Sequence, residues 1–309
     1  MRTWIVSATV FLVLIATLVW LTTPDEIDIE IHGIRKNHAF FHSNEKKTFE
    51  RGFVLNAENT RFGLEEAMTG HRLVTEPEET AGIALEFHGA SVQTLENDAV
   101  LVKAVYAMPF SAGREHVHID PALLRISYDD GTVATVPIGT FSYRFHEGAN
   151  IAPHLDYTKI TVLSESSALG ASASGACIAF NATSEEPVTI TGIDPGTPAL
   201  QGNMDYLTPH EGNVTPLTSV EAITGGPFNP KAVSVNPLTA TLEGGQKKTL
   251  CVPFHRKNLL VSDSFPFVIT YETEARSHTL IIEDFKYIRN TSFHTLEAKE
   301  ASRGVLEKD

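Results

Sequence analysis

An apolar run extends from Trp4 to Leu21 and then gives way to alternation. The run holds 18 residues and no charge. As a helix rising about 1.5 Å per residue it reaches roughly 27 Å, close to the ~30 Å hydrocarbon core of a bilayer. Trp4 and Trp20, the only tryptophans in the chain, bracket it, and indoles favour the two headgroup regions. A signal-peptide apolar core is shorter, about 7 to 15 residues, and ends on small residues. Here the exit is Val19-Trp20-Leu21-Thr22-Thr23, and no cysteine follows for lipoprotein processing. Residues 1–23 therefore read as a retained transmembrane anchor rather than a cleaved signal. Arg2 precedes the span, Asp25, Glu26, Asp28 and Glu30 follow it, and the next basic residue is Arg35. Positive charge stays on the cytoplasmic side. The N-terminus is expected inside the cell membrane and the bulk of the chain outside it.

Behind the anchor, period two dominates. Ile27, Ile29 and Ile31 alternate with Asp28, Glu30 and His32, as in a half-buried strand. Phe49, Phe53 and Leu55 predict a second strand, residues 64–73 a short helix or a long loop, and residues 83–87 and 100–106 further strands. The stretch LLRISYDDGTVATVPIG predicts a hairpin. A two-residue Asp-Gly turn would mix apolar and polar faces. A three-residue loop, Asp129-Asp130-Gly131, pairs Ile126 with Ala134 and Leu124 with Val136 and keeps one face apolar. Gly131 supplies the left-handed residue such a loop needs. Strands follow at 140–145 and 159–163.

Residues 164–175, SESSALGASASG, are small and polar, and they read as a linker. The 286 residues behind the anchor are too many for one ordinary sandwich and enough for two. The expected organisation is all-β: a first β-sandwich over 24–163, the linker, a second sandwich over 176–288, and a polar tail over 289–309. Within the second, residues 197–230 are rich in Gly, Pro and Thr and read as an inserted set of loops.

Charge narrows the function. The whole chain carries −14, and its apolar fraction of 42 % is enough to build cores. Such a surface repels nucleic acid, and no basic cluster relieves it. The two cysteines, Cys177 and Cys251, suggest one disulfide in an exported protein.

Two sequence patterns in the second half carry a family resemblance. The first is Asn181-x-Thr183-Ser184-x-x-Pro187-Val188-x-Ile190-x-Gly192-Ile193. The second is Leu242-x-Gly244-Gly245-x-x-Lys248-Thr249-Leu250-x-Val252-x-Phe254, followed by a closing hairpin. Together they resemble the immunoglobulin-like sandwich modules of Hydin type, over residues 174–288. The resemblance implies a module that binds, spaces or scaffolds, with no catalytic residues to transfer. In the strand order it implies, Cys177 and Cys251 occupy the second and fifth strands, neighbours in one sheet. Ile178 and Phe180 on one strand and Leu250, Val252 and Phe254 on the other face the core, which turns both cysteines to the outer face. Directly opposed residues in a non-hydrogen-bonded pair stand about 4.5 Å apart at Cα, near the short end of the disulfide range. Two free thiols on separate strands are the alternative.

Thirteen histidines offer metal chemistry. In REHVHIDP an extended backbone sets His116, His118 and Asp120 on one face, where two imidazoles and a carboxylate suit Zn or Cu. A solvated strand edge is the plainer reading. His32, His38 and His42 form a looser set, and His146 and His154 read as loop histidines. No Gly-x-Ser-x-Gly motif occurs, neither cysteine sits in a reactive motif, and the Gly-Gly pairs lack a strand-loop-helix context. Asn181, Asn213 and Asn290 head Asn-x-Ser/Thr triplets that matter only in a glycosylating host.

The sequence thus points to a single-pass, extracytoplasmic interaction or structural module, not an enzyme, meeting lipid through its helix and another envelope or surface protein through its body. The alternative is an envelope metal-binding or electron-transfer accessory protein using His116 and His118. N-terminal sequencing of the membrane-extracted protein should begin at Met1 or Arg2; a start between Thr22 and Asp25 would mean that the helix is cut away.

Overall fold

The structure, a computed structural model, describes residues 31–42, 48–56, 67–79, 81–95, 99–108, 116–145, 152–167, 170–210, 219–258, 260, 262, 265–283, 301–303 and 305–308. The anchor at 1–23, with Trp4 and Trp20, lies outside the described residues. Among the described residues no helix is long and apolar enough to cross a membrane, which says nothing of that segment.

The first half is built from β1 (Ile31–Ile34), β2 (Lys36–His42), β3 (Thr48–Asn56), β4 (Met68–Val74), β5 (Ile83–Ala84), β6 (Glu86–Thr94), β7 (Ala99–Ala107), β8 (His116–Tyr128) and β9 (Thr132–Phe145). The second half holds β10 (Leu155–Ser167), β11 (Gly170–Ala182), β12 (Val188–Pro195), β13 (Leu200–Gly202), β14 (Thr208–His210) and helix α1 (Glu221–Thr224). It continues through β15 (Ala240–Leu242), β16 (Lys247–Arg256), β17 (Phe267–Glu272) and β18 (Ser277–Ile282). Two last strands, β19 (Ala301–Arg303) and β20 (Val305–Lys308), end the chain.

One sheet runs β19-β1-β3-β7-β6, and a second runs β2-β9-β8-β4-β5 with β20 also on β9. They share one core, in which Leu55, Val102, Ala104 and Tyr106 meet Leu124, Ile126, Val136 and Phe141. The β8–β9 hairpin has the three-residue register: Ile126 faces Ala134 and Leu124 faces Val136, all fully buried. Gly131 has φ +82 at its turn. Only Arg35 separates β1 from β2, so the chain crosses there from one sheet to the other. Gly139 makes the crossing possible. Its φ is +102, and a Cβ on it would stand 2.2 Å from the Lys36 carbonyl oxygen.

Two expectations fail in this half. Residues 68–74 form strand β4, where a helix or loop was expected, because a bulge between Met68 and Gly70 breaks the alternation that marks a strand. Part of the polar tail, read as lying outside both sandwiches, is paired into the first: β19 lies antiparallel to β1 and β20 antiparallel to β9. Three- and four-residue strands are too short to show a period, and the free edges of β1 and β9 supply their partners. Residues 289–300 lie outside the described residues.

In the second half, β10-β11-β16-β13 forms one sheet, with β14 also on β16, and β15-β12-β17-β18 forms the other. Adjacent A, B and E strands opposite adjacent C, F and G strands define an immunoglobulin-like sandwich, and β10, β11, β16 and β12, β17, β18 reproduce that order. Its core joins Ile178, Phe180, Leu250, Val252 and Phe254 to Ile190, Phe267, Ile269 and Tyr271. The expected linker is a correction: residues 164–167 belong to β10 and residues 170–175 to β11, with Ser164 paired to Ala173 and Glu165 to Ser172. The residues are small because the strand is covered. Ser172, Ala173 and Ser174 are buried, Ala173 N–H donates to the Ser262 carbonyl, and Arg256 donates to the Ser172 and Ala173 carbonyls.

The two sandwiches meet at Asn37 in β2. Its amide nitrogen, with two hydrogens, shares them among Asn258 Oδ1 at 2.9 Å, the Leu260 carbonyl at 3.1 Å and Ser262 Oγ at 2.9 Å. Its oxygen accepts from Thr140 Oγ1 and from Asn258 Nδ2, each at 3.0 Å.

The first core also encloses a histidine. His71 is 6 % exposed, its ring stacks on Phe87 with centroids 4.6 Å apart, and both ring nitrogens are without a hydrogen-bond partner. Burial lowers its pKa from 6.5 to about 4. Since the unfolded chain binds this proton first, stability is greatest above pH 6.5 and falls on acidification until the folded ring itself protonates near pH 4. The loss across that window should be about 3 kcal/mol. Chemical denaturation against pH should show this slope, and His71→Phe should flatten it; an unchanged slope would locate the proton elsewhere.

Candidate functional site

The insertion at 197–230 holds β13, β14, α1 and a 3-10 turn, Met204–Tyr206, between the two strands. Asn203 caps that turn, its side chain accepting from Asp205 N–H at 3.3 Å while its amide donates to the Ala232 carbonyl at 2.9 Å. Asp205 thereby points at the segment after α1. Its carboxylate accepts from Ser234 Oγ at 2.6 Å, from Val235 N–H at 2.7 Å and from Asn236 N–H at 2.8 Å. The Ser234 hydroxyl first, and then the Val235 N–H, hold its pKa below the ordinary carboxylate value. The base of the segment is fixed as well: Arg256 N–H donates to the Pro230 carbonyl, and Leu238 N–H to the Met204 carbonyl.

What this clasp displays is apolar. Val233 is 55 % exposed, Val235 76 % and Leu238 48 %. Tyr206, on the clasping turn, is also exposed and packs edge-to-face on Phe228. A loop without internal ladder bonds would fold such side chains inward or sample many states; here one carboxylate fixes three consecutive residues. The ordering cost of this loop is met by bonds within the chain itself. The sequence marks 197–230 as loops but gives no sign of Asp205, because its bonding partners lie about thirty positions later.

Cys177 and Cys251 are direct cross-strand partners in β11 and β16 and are joined by a disulfide. Their side chains point away from the main core, but that outer face is not solvent. Val220 and Ile223 of the α1 region and Leu163 close over the pair, leaving the cysteines 1 % and 0 % exposed. The insertion therefore gives the outer face of this sheet a small second core.

His116, His118 and Asp120 all fall on the exposed side of β8. His116 stands opposite Arg144, and burial, then the Arg144 cation, lower its pKa. Its neighbour His118 has Nδ1 engaged with Ser142 Oγ at 2.8 Å. A guanidinium beside one imidazole and a hydroxyl on the other disfavour a shared cation. Among the described residues no three His, Cys, Asp or Glu converge as metal ligands. His32 and His38 belong to strands of different sheets, while the His42 side chain, His146, Asn213 and Asn290 lie outside the described residues. Asn181 is half-buried in β11. His154 is brought beside His278, a residue that the sequence did not single out.

No protein-family model matches the chain, and no curated protein is similar to it. Among solved structures it is similar to a protein of unknown function from Porphyromonas gingivalis W83, at 10 % identity over 82 % of this chain and 98 % of that one, with a TM-score of 0.21. It is similar to a collagen adhesin from S. aureus at 9 % identity, over 91 % and 95 % of the two chains, with a TM-score of 0.24. Bovine butyrophilin matches at 8 % identity over 83 % and 98 %, with a TM-score of 0.17. At these scores none of them bears on what this chain binds.

Titrating thiols in the denatured, unreduced protein should find none, and about two per chain would mean an open pair. Reduction, releasing a loop spanning 74 positions, should destabilise the second sandwich by about 4 kcal/mol in the chain-entropy description.

Proposed function

We propose that the chain is a membrane-anchored, extracytoplasmic protein-interaction module without a catalytic role, built on a first sandwich and a second, Hydin-type immunoglobulin-like one. The observation that carries this reading is the Asp205 clasp, which holds Val233, Val235 and Leu238 exposed on a loop fixed at both ends. Exposed apolar side chains on an ordered loop are an interaction surface by their chemistry. The membrane part of the proposal rests on the apolar run over 1–23 and on Arg2 before it. On that reading, seven residues separate the anchor from β1, and the first sandwich carries the second as an insertion between β9 and β19. The partner fitting this loop is another envelope or surface protein that offers an apolar recess with a polar or basic rim, since the chain carries −14.

A photo-crosslinking residue placed at Val235 in the full chain should capture one defined partner, and the same probe at exposed Glu185 should not. Asp205→Ala should lower the yield about tenfold by releasing the loop, with little change in the unfolding midpoint. Equal capture from both positions, or a yield indifferent to Asp205, would remove the loop from the reading.

A further inference from the structure

We infer that His154 and His278, with Tyr271, form a site for one imidazole-seeking divalent metal ion on the second sandwich, apart from the Asp205 loop. Tyr271 in β17 and His278 in β18 are direct cross-strand partners, and their rings stack with centroids 5.1 Å apart. His154, just before β10, brings its ring to 5.2 Å from that of His278 at a tilt of 59°. With metal–nitrogen bonds of about 2.0–2.1 Å, two imidazoles sharing a tetrahedral ion have ring centres roughly 5 Å apart. The observed pair has that spacing.

Two further observations point to a ligand. His154 Nδ1 and the Tyr271 hydroxyl are both buried without a hydrogen-bond partner, and Tyr271 as a whole is 0 % exposed. The hydroxyl lies near the His154 backbone, outside hydrogen-bond geometry. Buried polar atoms are nearly always paired, and here two orphans sit beside a second imidazole. On His278, Nε2 lies 3.4 Å from Thr273 Oγ1. With Nε2–H donating there, Nδ1 carries the free lone pair, the arrangement by which outer hydroxyls orient ligating histidines. Zn²⁺ and Cu²⁺ favour imidazole. The phenol supplies a third donor and water the fourth.

The full chain in detergent, dialysed against Zn²⁺ or Cu²⁺ alone, should retain one ion per chain by elemental analysis. His154→Ala and His278→Ala should each weaken retention at least about tenfold, and His118→Ala should leave it unchanged. With Cu²⁺, electron paramagnetic resonance should show coupling to two nitrogens, and Tyr271→Phe should remove a phenolate charge-transfer band in the visible. Should an alanine variant fold poorly, the imidazole proton signals of the native chain decide, because those of His154 and His278 must shift together up to one equivalent. No retained ion (a bridging water only), or an ion kept by both alanine variants, would overturn the assignment.

Discussion

A buried primary amide offers two donors and two acceptor positions, and each left unmet costs about 1–3 kcal/mol. Asn37 meets them only where the two sandwiches touch. Thr140 comes from its own sheet, while Asn258, Leu260 and Ser262 come from the loop after β16. Any rotation of one sandwich against the other would strand several buried groups at once. The arrangement of the molecule hangs on this contact, and β2 can bring Asn37 there only because the chain crosses sheets at Arg35, past a glycine at 139.

That joint gives the topology its consequence. The second sandwich is contained within the first in sequence, since β10 to β18 come between β9 and β19. The first is completed by strands from both ends of the chain, with β1 bonded to β19. A body closed in this way is not two beads on a string. Ser172 and Ala173, of a kind that would suit a flexible linker in the open, are here packed under Arg256 and Ser262 and reach the same network through Ser172.

The segment from 197 to 239 does two things with one piece of chain. Its helix buries Val220 and Ile223 over the Cys177–Cys251 bridge. Its continuation is caught by Asp205 and presents valines outward. An immunoglobulin-like frame supplies rigid strands and leaves function to what is added between them. On the opposite sheet, His278 at the β18 edge faces a histidine from outside the β17–β18 hairpin.

Local order was legible. Alternation located β7 and the β8–β9 hairpin, with the register of Leu124 and Ile126, because burial of one face allows only one pairing. The apolar partners of Cys177 and Cys251 set which way those side chains leave their strands. The rest depended on contacts that carry no local signature. Strand β4 hid behind its bulge, and β19 and β20 were too short to have a period. The linker-like stretch was small because something covers it, and small residues look the same covered or free. Asp205 with Val235, and His154 with His278, are joined across long stretches of chain. By itself, the sequence determined which faces are apolar, since that follows from side-chain chemistry and a two-residue repeat. Which distant faces meet, and so which polar groups converge, was decided by the tertiary structure, because only there must every buried donor and acceptor find its partner.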